Sequence, residues 1–317
     1  MTVATSGEGS DATTTVTRGS VSCTIAHLGA TLLDFRLGGS AVIDGYWDIA
    51  ELKAQDGVRS GVLAPFAGRV REARYTFEGT LHDLRPGEAD RTVFHGFFRS
   101  ALFALVRVED CDGHTDLILR AERVTAPGYP YSVTTRVKFS VRSDGLDVEI
   151  GVRNDGPIPA PVTLGWHPYF ELQTAARTDD LVMRIPSDRT LSMDDALLPN
   201  HDSEPTDVSG SALDFTRPRM IGPTELDTCY VGLRRNPENI AEIHICTPEE
   251  QLTIWQDTDV AYLYTGDRLS RGARRSIAIE SLTDIPDAFN DPEGAKRISL
   301  LPGRTRTLRC GFRYLAN

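Results

Sequence analysis

The chain has 317 residues, 40% of them hydrophobic and 25% charged, with 45 acidic against 34 basic side chains and a formal net charge of −11. This is an ordinary globular composition, long enough for one large β domain or two smaller domains, and its acidic balance excludes a basic nucleic-acid footprint. No apolar run approaches the roughly 20 residues of a membrane helix, and the start MTVATSGEGSDATTTV lacks the basic-then-apolar order of a secretory signal.

In chain order, residues 1–15 are rich in Ser, Thr, Gly and Asp and are expected to be a flexible lead-in. From residue 16 to 317 we expect one β-sandwich domain. Short runs of Val, Ile, Thr and aromatics bounded by turn residues predict strands at Val21–Ile25, Thr31–Leu37, Arg74–Phe77, Ala101–Val108, Asp116–Ala121, Ser132–Val141, Leu146–Val152, Ile240–Cys246, Leu252–Gln256 and Thr305–Tyr314. Trp47–Lys53 predicts a turn or two of helix. The Ser143-Asp144-Gly145 turn joins two strand runs into a hairpin, because Asp-Gly suits the primed turns that match strand twist. Asp194–Pro223 is the longest irregular stretch, and in an all-β protein it should lie over a cleft or an edge. No strand–helix alternation points to a doubly wound sheet. The five cysteines are odd in number and form no CxxC pair, which points to buried free thiols in a reducing cytoplasm and to no structural zinc.

Four polar residues stand out by their settings: Arg69 in APFAGRV, His95 in VFHGFF, His167 in LGWHPYF and Glu280 in SIAIES. Pro168 biases His167 to an extended backbone, and Gly96 beside His95 permits close backbone approach. Glu280 ends the apolar run Ile277-Ala278-Ile279 and should be partly desolvated. Two imidazoles and a carboxylate suffice for cofactor-free proton transfer. They also match a two-histidine, one-carboxylate metal set, although no close-spaced His pair supports it. No GxSxG elbow suggests a nucleophilic triad, and a glycosidase would need Asp227 or Asp287 as a second carboxylate. The other five histidines sit in contexts such as Leu81-His82-Asp83 and Asn200-His201-Asp202 and are expected to be solvated.

Taken in order, APFAGRVREARYTFEG, FHGFFR, GWHPYF, LTIWQDTDVAYLYTGD and IAIESLTDIPDAFN resemble the motifs of the aldose 1-epimerases (mutarotases), from about Val16 to Tyr314. The resemblance implies an all-β fold, a large antiparallel β-supersandwich with a sugar cleft, and no cofactor or metal. It implies Glu280 as base, His167 as general acid and His95 as a second catalytic histidine, with Arg69 and Asp227 binding the sugar. The implied partner is a small-molecule sugar, with no nucleic acid or membrane, in a monomer or homodimer. The implied reaction is anomer exchange of a free aldose. A sugar phosphate is the alternative substrate, with Arg71, Arg74, Arg91 and Arg99 near the motifs, and a non-catalytic carbohydrate-binding module is the alternative role. Two departures bear on specificity. Gly68 stands where the family has asparagine, and Tyr131 stands where it has glycine, at a position expected on the cleft rim.

Overall fold

The computed structural model describes residues 1–122 and 126–316; the remaining residues of the expected 16–317 domain lie outside this set. Two large antiparallel sheets dominate. The first runs in the order Arg219–Met220, Val182–Arg184, Ala241–Cys246, Glu250–Gln256, Thr305–Ala316, Gly145–Asn154, Val133–Arg142, His114–Glu122 and Ala104–Cys111. Its central hairpin is the one predicted, with Val141 opposite Leu146. Val133, Val137, Phe139 and Val141 are buried on one face, the period-two alternation of a half-covered strand.

The second sheet runs Thr206–Asp207, Arg189–Thr190, Asp227–Val231, Val260–Tyr264, Ile277–Leu282, Gly165–His167 and Gly61–Leu63, with Tyr169–Phe170 also pairing to Ile277–Leu282. Every residue of Ile277–Leu282 is buried. Ile277 and Ile279 join one core cluster with Ile254, Leu308 and Phe312 of the first sheet. Ala278, Glu280 and Leu282 therefore point the other way, as pleat alternation requires. This is the sandwich expected from the strand spacing.

The structure revises several expectations. Residues 2–6 and 13–18 form paired strands at the edge of a five-stranded sheet that runs to Ala41, in place of a frayed lead-in. Thr14 and Val16 are fully buried there, so alternating Thr and Val act as strand formers despite their polar company. The strand expected at Ala101 begins at Ala104, after a 3-10 turn at Phe98–Ser100. The helix is Ile49–Ala54, capped by the Asp48 side chain, which accepts from Glu51 N–H at 2.8 Å. The irregular stretch Asp194–Pro223 supplies short edge strands to both sheets, and its Leu197 reaches the cleft described below. Cys23, Cys229 and Cys310 are buried free thiols, whereas Cys111 and Cys246 are partly exposed. Among the described residues no helix is long and apolar enough to cross a membrane.

Candidate active site

Arg69, His95, His167, Asp227 and Glu280 all line a single cavity of about 340 Å³ on the outward face of the second sheet. Three of them come from strands in that sheet. Glu280 lies opposite Tyr262 in the ladder, and Asp227 lies opposite Tyr264, so the two carboxylates and the two phenols share one face. His167 pairs with Gly61 on the far side.

The two remaining residues come from loops held by glycine. His95 has φ +62° and Gly96 φ +61°, a left-handed pair that a Gly in second place makes tolerable. A Cβ at Gly96 would stand 2.0 Å from the Ala64 carbonyl oxygen, so only glycine lets this loop dock on the strand beside it. Gly68 has φ +73°, and a Cβ there would meet Pro286 at under 3 Å. The Gly68 N–H donates to His95 Nδ1 at 3.2 Å, and the His95 N–H donates to the Gly68 carbonyl at 2.8 Å. The turn before Arg69 and the turn at His95 are therefore one interlocked unit, which sets Arg69 over the Phe94 ring at 5.6 Å.

A buried histidine–carboxyl pair lies at the floor. His167 Nε2 is 3.3 Å from Glu280 Oε1, and both side chains are buried. Burial pushes the Glu280 carboxyl well above the usual range, and the Asp227 charge adds to that. Burial pulls His167 down to about 4, helped by the Arg59 guanidinium. Each shift disfavours the charged form, so burial works against a net charge on either partner. His95 stands edge-on to His167, with ring centroids 5.3 Å apart. Burial holds it well below its ordinary value, reinforced by His167, Arg99 and Arg69. At the mouth, Asp227 accepts the Tyr262 hydroxyl at 2.8 Å. The cleft walls push its carboxyl up, against the pull of that hydroxyl and of Arg69 and Arg268.

Ligating atoms of His95, His167 and Glu280 lie within 4.8 Å of one another. The Gly68 N–H aimed at Nδ1 fixes the proton of His95 on Nε2, however, and a protonated nitrogen cannot ligate. The set suits proton transfer better than a cation.

Other residues fall elsewhere than expected. Tyr131 is not at the cleft rim: it is buried among Phe77 and Tyr129 and bonds to His82 Nε2 at 3.1 Å. Asp287 is a buried turn acceptor for the Arg71 and Asn290 side of the chain and does not line the cavity. His27 is not solvated but buried against Thr14, and His201 reaches Asp287 at 3.3 Å. Arg71, Arg74 and Arg91 are occupied by Asp194, Asp83 and backbone carbonyls. Arg99 donates to Gln55 at 3.0 Å.

Sequence inspection missed a buried charge cluster behind the site. Arg59, fully buried, donates to Asp44 at 2.6 Å and lies over the Tyr169 ring at 4.9 Å, beside His167. Ser276 and Arg271 also bond Asp44. Its members are far apart in sequence and none has a diagnostic neighbour.

The aldose 1-epimerase family model matches residues 12–313. The Escherichia coli (strain K12) protein YphB, uncharacterised, is 27% identical over 307 residues, covering 92% of this chain and 97% of its own. The aldose 1-epimerase of the same organism is 24% identical, with 92% of each chain covered. Among solved structures, galactose 1-epimerase from Lactobacillus acidophilus NCFM superposes with a TM-score of 0.85 at 18% identity, covering 100% of this chain and 98% of that one. A galactose mutarotase-like protein from Clostridium acetobutylicum gives 0.83 at 12% identity, with 97% and 96% covered.

Proposed function

The chain belongs to the aldose 1-epimerase family, and from that premise we propose that it exchanges the α and β anomers of an aldose by acid–base ring opening. The observation that carries this reading is the buried His167–Glu280 pair, 3.3 Å apart at the floor of a cleft. Opening a cyclic hemiacetal takes a proton from the C1 hydroxyl and gives one to the ring oxygen. With one proton between them, the pair reacts from its minor ion-pair arrangement: Glu280 as carboxylate accepts the first while His167 as imidazolium supplies the second. The pair then stands as carboxylic acid and neutral imidazole. After rotation about the C1–C2 bond the reverse transfer closes the ring on the other face. Both states hold one shared proton, so the enzyme needs no exchange with solvent between half-reactions. Opposed shifts of this kind are how two titratable groups divide acid and base roles.

His95, held with its proton on Nε2, is a fixed donor toward the oxygen that develops charge. Arg69 and Asp227 orient the remaining hydroxyls, and orientation lowers the barrier further. A non-catalytic sugar-binding module has no use for a desolvated acid–base pair, whose burial is a cost without a reaction to serve. The test is anomer-exchange NMR on the purified protein over a panel of aldoses. Exchange above the spontaneous rate for at least one sugar is expected, and a spontaneous rate for all of them would overturn the proposal.

A further inference from the structure

We propose that Cys111, His114 and Asp116 form a zinc site at the tip of the edge hairpin of the first sheet, apart from the cleft. None of the three lines the cavity that holds His167 and Glu280.

The hairpin sets the three side chains on one face. Strands Ala104–Cys111 and His114–Glu122 are joined by the two-residue turn Asp112-Gly113, with Gly113 at φ +80°, a value glycine adopts without strain. Cys111 stands directly opposite His114 in the ladder, and residues so paired share a face. Asp116 lies two residues beyond His114, and side chains two apart in a strand point the same way. The set is not a CxxC pair, which is why cysteine spacing alone points away from zinc. Cys-x2-His-x-Asp nevertheless gathers a thiol, an imidazole and a carboxylate from one short segment, and their ligand atoms lie within 4.8 Å of one another.

The hydrogen bonds orient the imidazole for a metal. The Asp112 carbonyl can only accept, so His114 Nδ1, 3.2 Å from it, carries the ring proton. Nε2 is then the bare nitrogen of the neutral ring, and it faces Asp116 Oδ1 at 3.4 Å. Two lone pairs opposed at that distance call for a cation between them. At zinc–nitrogen and zinc–oxygen lengths of about 2.0–2.1 Å, tetrahedral geometry sets the two ligand atoms about 3.4 Å apart. A backbone carbonyl on the other ring nitrogen is the usual support of a metal-bound histidine, and Ser140, which donates to Asp116 Oδ1, orients the carboxylate in the same way. Lys138 approaches the other carboxylate oxygen, Oδ2, at 3.8 Å. A proton would satisfy the imidazole and carboxylate alone. The partly exposed Cys111 thiol adds the ligand that selects a metal, and thiolate with imidazole favours zinc over magnesium or calcium. Three protein ligands leave a fourth position open to water.

The experiment titrates the full chain, thiols reduced and folding verified by circular dichroism, with Zn²⁺ by calorimetry and with Co²⁺ by absorption spectroscopy. The proteins compared are wild type, Cys111→Ser, His114→Asn, Asp116→Asn and Ser140→Ala. We expect Co²⁺ to give a thiolate-to-metal charge-transfer band in wild type that is lost in Cys111→Ser. No cysteine lines the cleft, so the band reports the hairpin. Zinc affinity should fall at least about a hundredfold in each ligand variant and about tenfold in Ser140→Ala, the scale of losing an outer-shell partner. Absence of the band in wild type would overturn the site, as would unchanged zinc affinity in any one of the three ligand variants. Neither result bears on the chemistry of the cleft.

Discussion

At the scale of single residues, the pair His167–Glu280 sets the pH dependence. With Glu280 protonated, a second proton reaches His167 only near its depressed value of about 4, and the base is then lost. Activity should hold from neutrality down to about pH 5 and fall through an acid limb near 4, well below an ordinary histidine. A pH–rate profile of kcat/KM checks this, and a limb at 6–7 would contradict it. Of the five residues that line the cleft, Arg69, His95, His167 and Glu280 were legible because each stands in a motif, Asp227 came only with the family resemblance, and the reason for Gly68 was not legible. Its φ of +73° and the Pro286 contact are properties of the folded loop. Gly68→Asn should therefore lower activity on every sugar and cost about 1–3 kcal/mol of stability. Equal activity with a new galactose preference would show that the position tunes specificity instead.

At the scale of elements, the segment Gln55–Ser60 is the feature no pattern announced. Gln55, Val58 and Ser60 all take positive φ, unusual for a β-branched valine in particular. The Ser60 N–H donates to the His167 carbonyl at 2.8 Å. Arg59 anchors the segment on Asp44 and so fixes the strand that carries His167. Its charge also lowers His167's proton affinity. Arg59→Met should cost about 3 kcal/mol by leaving Asp44 undercompensated. In the folded fraction the acid limb should move to higher pH. Thermal unfolding and the pH profile read the two effects separately, and an unmoved limb would reduce Arg59 to a structural role. Strands such as Thr31–Leu37 and Arg74–Phe77 match their predicted ends, because local alternation is enough to define them. Which strands pair was not legible, since Gly165–His167 and Ile277–Leu282 meet across more than a hundred residues.

At the scale of the whole molecule, one sheet supplies the core with its inner face and the cleft with its outer face. The sandwich follows from strand spacing, while the resemblance implied the larger topology that the structure shows. Burying Glu280 has a thermodynamic consequence. A carboxyl whose folded pKa is raised binds its proton more tightly in the native state. Its stabilising effect is present below the unfolded value of 4.5 and is lost as pH rises through the raised folded value. Glu280→Gln removes that slope. The variant should gain in Tm over wild type as pH rises from 5 to 9, a trade of activity for stability. A Tm difference that stays flat over this range would show that Glu280 is not desolvated as described.

The most direct test of the account is anomer exchange by NMR in wild type and Glu280→Gln, on the best substrate of the panel and with folding verified by circular dichroism. Loss of a positioned base predicts a fall of about 10²–10⁴-fold in kcat, with the sugar still bound. A Glu280→Gln protein that exchanges anomers at close to the wild-type rate would contradict the assignment of the buried pair as the catalytic centre.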